Sequence, residues 1–279
     1  MSVAESLSTQ DVPSKALPLF VIITFTITWG LIGFAIFLHD QTVSWFGEIS
    51  GSHPFFFLAT WAPAIAAFIL VLSYGGLAGI RLFLSRLFLW RISLYWVAFV
   101  AVLIPLVFLA GSLIKGGPLL APPPPEGANK MIAVLFIMLL LGPIEEFGWR
   151  GVAQPLLQRH MAPIWAGIIV GITWGIWHLP AFFLSGTVFS GWAFWPFFVG
   201  NVTLAVLVTP ILNSGRGGLL WPMLFHWQLM NPFWPDAQPY DTWILVAVAV
   251  VVVWLSRETM FTRQGAATEV IPATGGLRP

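Results

Sequence analysis

Residues 94–114 read LYWVAFVAVLIPLVFLAGSLI, an unbroken apolar stretch without a single charge. A bilayer's hydrocarbon core takes about 20 such residues to cross as a helix. With no water there to satisfy backbone groups, a single segment has no alternative to the helix. Working outward from it, seven further stretches are apolar enough to enter a membrane: Ala16–Leu38, Pro54–Tyr74, Met131–Phe147, Ile164–Leu184, Trp192–Leu212, Gly218–Asn231 and Thr242–Leu255. Met131–Phe147 is expected to continue as helix toward Leu157. The last two, at about 14 residues, are expected to be tilted or partly buried among the others. The sequence therefore predicts an all-α, polytopic transmembrane helix bundle of about eight spans.

Composition argues the same way. The chain has 279 residues, 58% of them hydrophobic and 8% charged, with a mean hydropathy of +0.88. Soluble domains carry about 25% charged residues, so there is too little charge here to coat a water-soluble globule. No polar block of domain size interrupts the apolar runs. The expected organisation is a polar N-terminal tail over residues 1–15, an integral membrane domain over 16–257 and a cytoplasmic C-terminal tail over 258–279. The first run exceeds a signal-peptide core, so the segment Met1–Ser14 is expected to be retained. The absence of cysteine excludes disulfides, thiolate metal sites, cysteine nucleophiles and prenylation. A net charge of +1 without a dense basic cluster gives no reason to expect nucleic acid as a partner. Membrane lipid is the expected surroundings, and many of the 16 tryptophans suit its interfaces.

Short cytoplasmic loops are enriched in Lys and Arg. With eight spans and the N-terminus inside, Lys15, Arg81, Arg86, Arg91, Arg150, Arg159, Arg216, Arg257, Arg263 and Arg278 fall on the cytoplasmic side, ten of the twelve basic residues. Lys115 and Lys130 fall outside, flanking the tract Pro122–Pro125, which should be stiff and extended. Both termini are predicted cytoplasmic. Arg81, Arg86 and Arg91 are expected to mark a cytoplasmic interface in contact with anionic lipid. The glycine pairs Gly75–Gly76 and Gly217–Gly218 read as helix ends.

Against this background the ionisable groups inside the spans stand out, because each costs roughly 2.5–3.5 kcal/mol on insertion scales unless it has a function or a partner. They fall at three places: Glu145-Glu146-Phe147-Gly148-Trp149-Arg150; His178 in Trp174-Gly175-Ile176-Trp177-His178; and His226 in Trp221-Pro222-Met223-Leu224-Phe225-His226, followed by Gln228 and Asn231. Adjacent helical positions point about 100° apart, so the two glutamates need separate roles. Glu146 and Arg150 are four apart and can pair as a structural ion pair, which leaves Glu145 as the free carboxylate. A free carboxylate in an apolar bundle is a stronger base for water, and a nearby histidine, with His178 as the candidate, could share or orient the proton. A lone membrane histidine more often makes a plain interhelical hydrogen bond; two of them with an unpaired glutamate, on three spans, favour chemistry. His39, His53 and His160 fall in loops or at a boundary, where solvated roles are the default. Counting along the spans at 1.5 Å per residue sets Glu145 about 20 Å below the outer boundary and His178 about 9 Å below it. Tilt or a recessed loop has to close that gap.

These residues resemble the CPBP family of intramembrane proteases, which includes the CAAX prenyl-protein endopeptidases and bacterial proteins linked to bacteriocin processing or self-immunity. The resemblance rests on EExxxR at Glu145, Glu146 and Arg150, on an aromatic-xxx-His motif at Trp174 and His178, and on a third motif opening at His226. Softer similarities are Ala62-Pro63-Ala64-Ile65-Ala66-Ala67 and the run Gly218–Phe225, so it extends over about residues 55–231. It implies hydrolysis of a peptide bond within the membrane, with a peptide or lipidated protein tail as substrate and a bacterial inner membrane as the setting. Glu145 with His178 would activate water, His226 with an asparagine one turn later would stabilise the oxyanion, and Glu146 and Arg150 would support the site. The chain departs from the family pattern twice. Trp174 stands where phenylalanine is usual, and Met230 takes the fourth place after His226, with Asn231 fifth. On an ideal helix the fifth place lies about 140° from the first, against about 40° for the fourth. A π-bulge would re-aim Asn231; otherwise Gln228 or Asn201 could supply the amide.

Glu145, His178 and His226 could alternatively hold zinc with one position left for water. The chain lacks HExxH, however, and chemistry without a cofactor is the favoured expectation. Two readings of other classes remain open at this point: a non-catalytic binding or immunity protein, and a proton-coupled transporter built on the same buried groups.

Overall fold

A computed structural model of the chain describes residues 10–51, 53–122 and 128–273. The expectations for residues 1–9 of the N-terminal tail, for Pro123–Pro125 and for Arg278 lie outside the described residues. The described residues form an all-helical bundle. Its main helices are α1 (Leu17–Phe37), α2 (Ala62–Ser85), α3 (Leu94–Lys115), α4 (Ala128–Leu140), α5 (Pro163–Trp177), α6 (Phe194–Ser214), α7 (Leu220–Leu229) and α8 (Tyr240–Leu255). Among the described residues, six helical segments are long and apolar enough to cross a membrane. The other two expected spans, α7 and α8, are the short ones.

Two expected segments take a different shape. Pro54–Tyr74 divides into a short helix, Pro54–Thr60, and α2, which runs on to Ser85 with a break at Gly76 (φ 60°, ψ −160°). The helix expected to run unbroken from Met131 past Phe147 stops at Leu140. Leu141 leaves helical geometry (φ −92°, ψ −95°), and Gly142–Glu145 forms a 3₁₀ turn. Pro143 accounts for the break, since it donates no N–H and disfavours the α conformation in the residue before it. Helix resumes at Glu146, widens to a π turn over Trp149–Ala153 and closes at Gln154–Gln158.

The tightest packing in the bundle is between α5 and α6. Gly167, Gly171 and Gly175 recur every fourth residue along one face of α5. A Cβ on them would meet Thr209 Oγ1, Val202 Cα and the Phe198 ring, so the two helices approach at backbone distance. Small residues at this spacing allow such contact where lipid offers no hydrophobic drive to associate. The contact fixes the end of α5, where Trp174 and His178 project.

At one end of the bundle, partly buried polar contacts tie the chain together. Asp11 accepts the backbone N–H of Val270 and of Ile271, and Arg159 donates to Asp11, to Val12 O and to Thr268 O. Gln158 donates to Ala267 O, and Val270 and Ile271 are buried, so residues 267–271 are docked into the bundle rather than hanging as a tail. Both described ends of the chain thus lie together. Arg86, expected at a lipid-facing interface, is instead 1% exposed. Its guanidinium donates to the carbonyls of Gly217, Gly151, Val270 and Arg150 at 2.6–3.2 Å. A guanidinium offers five donors and no acceptor, so four inward-facing carbonyls outweigh the lipid contact expected of it. Arg81 and Arg91 do remain exposed.

Candidate active site

The break at Leu141–Pro143 separates the two glutamates as their adjacency requires. Glu146, 1% exposed, lies 3.2 Å from Arg150 Nε through Oε2, and its Oε1 is 2.7 Å from His226 Nδ1. The expected Glu146–Arg150 pair is present, and His226 joins it as a third member. Glu145, 3% exposed, points elsewhere: its Oε2 accepts the indole N–H of Trp174 at 2.8 Å. The indole of Trp149 is a second side-chain donor beside the same carboxylate.

His178 lies at the end of α5, where its Nδ1 is 2.9 Å from the carbonyl of Trp174. A carbonyl can only accept, so the proton is on Nδ1 and Nε2 is left with its lone pair. The same reasoning applies to His226. Glu146, ionised against Arg150, can only accept, so His226 Nδ1 carries a proton and Nε2 faces away from the pair. That Nε2 rests against Gly142, where an added Cβ would come within 2.5 Å of it.

Trp174 is the hub of the cluster. Its ring lies 5.3 Å from His226 and 5.5 Å from His178, centroid to centroid and edge-on, with the Arg150 guanidinium 5.0 Å from its centroid. Glu145 and His178 share no direct hydrogen bond among the described residues; they meet through Trp174. The depth gap counted along the spans is closed by the reach of that indole and by the 3₁₀ turn carrying Glu145. Gly148 packs on Pro63, which seats the glutamate segment against the Ala62–Ala67 stretch of α2.

Asn231 stands apart. The helix α7 is regular to Leu229, without a π-bulge, and Asn231 falls in the turn after it. Its Oδ1 accepts the N–H of Phe233 at 3.1 Å, and its Nδ2 donates to Gln228 Oε1 at 3.3 Å. Gln228 itself donates to Val100 O, and Asn201 to Phe197 O. None of the three amides hydrogen-bonds to the cluster. The fourth-place residue, Met230, does reach it: its sulfur occupies the space a side chain at Gly142 would need. Among the described residues no group of three or more His, Asp or Glu side chains is arranged to hold a metal ion.

Sequence reasoning assigned no role to Trp174 beyond the aromatic position of the second motif, and none to Gly142 or Met230. The Gly142-Pro143 pair just before two buried glutamates is a signal that would have found the break. The indole–carboxylate contact leaves no trace in spacing.

Fold and cluster together define a polytopic helical membrane protein built around an intramembrane carboxylate–histidine site. A family profile described as Type II CAAX prenyl endopeptidase Rce1-like matches residues 127–231, a span that contains Glu145, Glu146, Arg150, Trp174, His178, His226 and Asn231. The chain is also similar to a protein named CAAX prenyl protease 2 from Methanococcus maripaludis, at 28% identity over 201 residues, covering 66% of this chain and 74% of the relative. Both matches are to CAAX prenyl endopeptidases, the group of intramembrane proteases that the three motifs resemble.

Proposed function

We propose that the protein is an intramembrane endopeptidase that hydrolyses a peptide bond in a peptide or lipidated protein tail, with Glu145 and His178 activating the water. The observation that carries this is the division of labour between the glutamates: Glu146 is spent on Arg150 and His226, while Glu145 forms no ion pair among the described residues and is met by indole N–H groups. A water accepted by both Glu145 Oε1 and His178 Nε2 would lose its proton to one of them as its oxygen attacks the carbonyl. General base catalysis through one bridging water fits two groups that do not touch directly. His226, held by Glu146, would in its doubly protonated form present Nε2–H to the oxyanion, where an oriented donor in a water-poor site is worth most. Asn231 would join it only by leaving Gln228 and Phe233.

The reaction is proposed to need no bound metal. What favours this over a zinc site is that the chain lacks HExxH, the usual helix-borne zinc pair. A bacterial inner membrane remains the proposed setting; that both termini are cytoplasmic is supported by the meeting of residues 11 and 270–271 and by the charge bias that is left once the buried Arg86 and Arg150 are set aside.

The test is cleavage of a reporter peptide with a lipidated C-terminal tail by purified protein in proteoliposomes, followed by mass spectrometry, with a chelator arm and a tail lacking the lipid. Cleavage by the wild type that survives chelation and is lost in Glu145→Gln is expected. Cleavage by Glu145→Gln at the wild-type rate would contradict the reading, and chelator-sensitive cleavage would favour zinc.

A further inference from the structure

Trp174 makes contacts that an aromatic wall does not need. Its indole N–H is committed to Glu145 Oε2 at 2.8 Å in a buried position, although Glu145 lies on a different span and 29 residues away. Its backbone carbonyl holds Nδ1 of His178 at 2.9 Å. One residue thus sets the orientation of both groups assigned to the water, one through its side chain and the other through its main chain. Its ring also packs against the Arg150 guanidinium and the His226 imidazole, the two partners of Glu146. A phenylalanine here would keep the ring contacts and the carbonyl but lose the donor.

We propose that Trp174 is a positioning residue of this site: its indole N–H pins one oxygen of Glu145, so that the other is presented toward the water shared with His178 Nε2. The inference rests on the reading of Glu145 and His178 as the water-activating pair. Without the Trp174 indole, Trp149 is the remaining indole donor to Glu145, and the carboxylate turns toward it and away from the shared water. Substrate binding is untouched, because the lost bond lies within the protein. A misplacement of about 1 Å in a reacting group can cost on the order of 100-fold in rate, so the penalty belongs in kcat and not in KM.

The neighbouring Trp177 supplies a matched control. It lies on the same helix, is equally buried and packs on the same His178 ring, 4.7 Å between centroids, a contact that a phenylalanine ring keeps; its indole N–H donates to Thr28 Oγ1 at 2.8 Å, away from both glutamates. Trp174→Phe and Trp177→Phe each delete one buried indole hydrogen bond and keep a ring. Replacing residue 174 with benzothienylalanine, in which sulfur takes the place of the indole N–H, deletes the donor with the ring size preserved and serves if the phenylalanine variant folds poorly. Steady-state kinetics on the cleaved reporter, with melting temperatures in detergent, should show kcat at least about 10-fold lower for both position-174 variants with KM within about twofold of wild type. Trp177→Phe should keep kcat within about twofold, whatever its loss of stability. Wild-type kcat in the position-174 variants, or the same fall in Trp177→Phe, would overturn the proposal while leaving the endopeptidase reading intact so long as Glu145→Gln is inactive. An active Glu145→Gln would overturn both.

Discussion

Gly142 shows how closely the site is fitted. A methyl group on it would run into Met230 Sδ and His226 Nε2, and both lie on the short helix or its cap, where the backbone has little room to retreat. Gly142→Ala is therefore expected to push His226 off Glu146, lowering turnover about 10-fold or more and costing about 1–3 kcal/mol of stability as an overpacked core position. Cleavage kinetics and thermal melting of the purified variant check both. At this scale the sequence was informative about which side chains matter and less so about their partners. Charge inside an apolar span marks Glu145, Glu146, Arg150, His178 and His226, because burial of an ionisable group is costly wherever it occurs. That His226 pairs with Glu146, and that Trp174 takes Glu145, depends on rotamers and on the turn at Gly142–Glu145, neither of which has a spacing signature. Asn231 was read from a motif offset by one residue, and the end of α7 at Leu229 turns its amide into a loop.

The decisive element is the interrupted segment 128–158. A continuous helix would carry Glu145 and Arg150 past the histidines at a fixed pitch; the 3₁₀ turn and the π turn instead let one stretch present Glu145 to α5, Glu146 to α7 and two backbone carbonyls to Arg86. Arg86 holds that π turn to the Gly217 turn and to residue 270, and each carbonyl left without its donor in a buried position costs about 1–3 kcal/mol. Arg86→Leu should accordingly lower the melting temperature far more than Arg81→Leu, whose side chain is exposed. Equal melting of the two variants would argue against the clamp. Hydropathy made the helices legible, to within a few residues for α1, α3 and α6, while α5 gives way after Trp177 to a 3₁₀ turn, Leu179–Phe183, short of the expected Leu184. It did not reveal the division of Pro54–Ser85 or the internal role of Arg86, because an arginine near a span end looks the same in sequence whether it meets lipid headgroups or buried carbonyls. The glycines at 167, 171 and 175 were a readable sign of close helix contact.

On the scale of the whole molecule, Asp11 bonding to residues 270 and 271 places both described ends of the chain together, as the proposed topology with both termini on one side requires. The chain has no cysteine, and single cysteines can therefore be read without background. With membrane-impermeant thiol reagents on sealed vesicles, Gln264→Cys should label from the cytoplasmic face and Glu48→Cys from the opposite face; the reverse pattern, or labelling of both from one face, would contradict the proposed orientation. Inside this frame, three separate helical segments bring Glu145, His178 and His226 to one indole, which composition and hydropathy alone could not foresee. The central claim is that Glu145 and His178 act on one water as a unit. A double-mutant cycle of Glu145→Gln and His178→Ala, with single-turnover cleavage of the reporter as readout, tests it most directly. Each single change should cost about 10²- to 10⁴-fold in rate, and the double variant should be no slower than the worse single one, as for groups that work together. Losses that multiply, or a single variant that cleaves at the wild-type rate, would show that the two residues do not share that water.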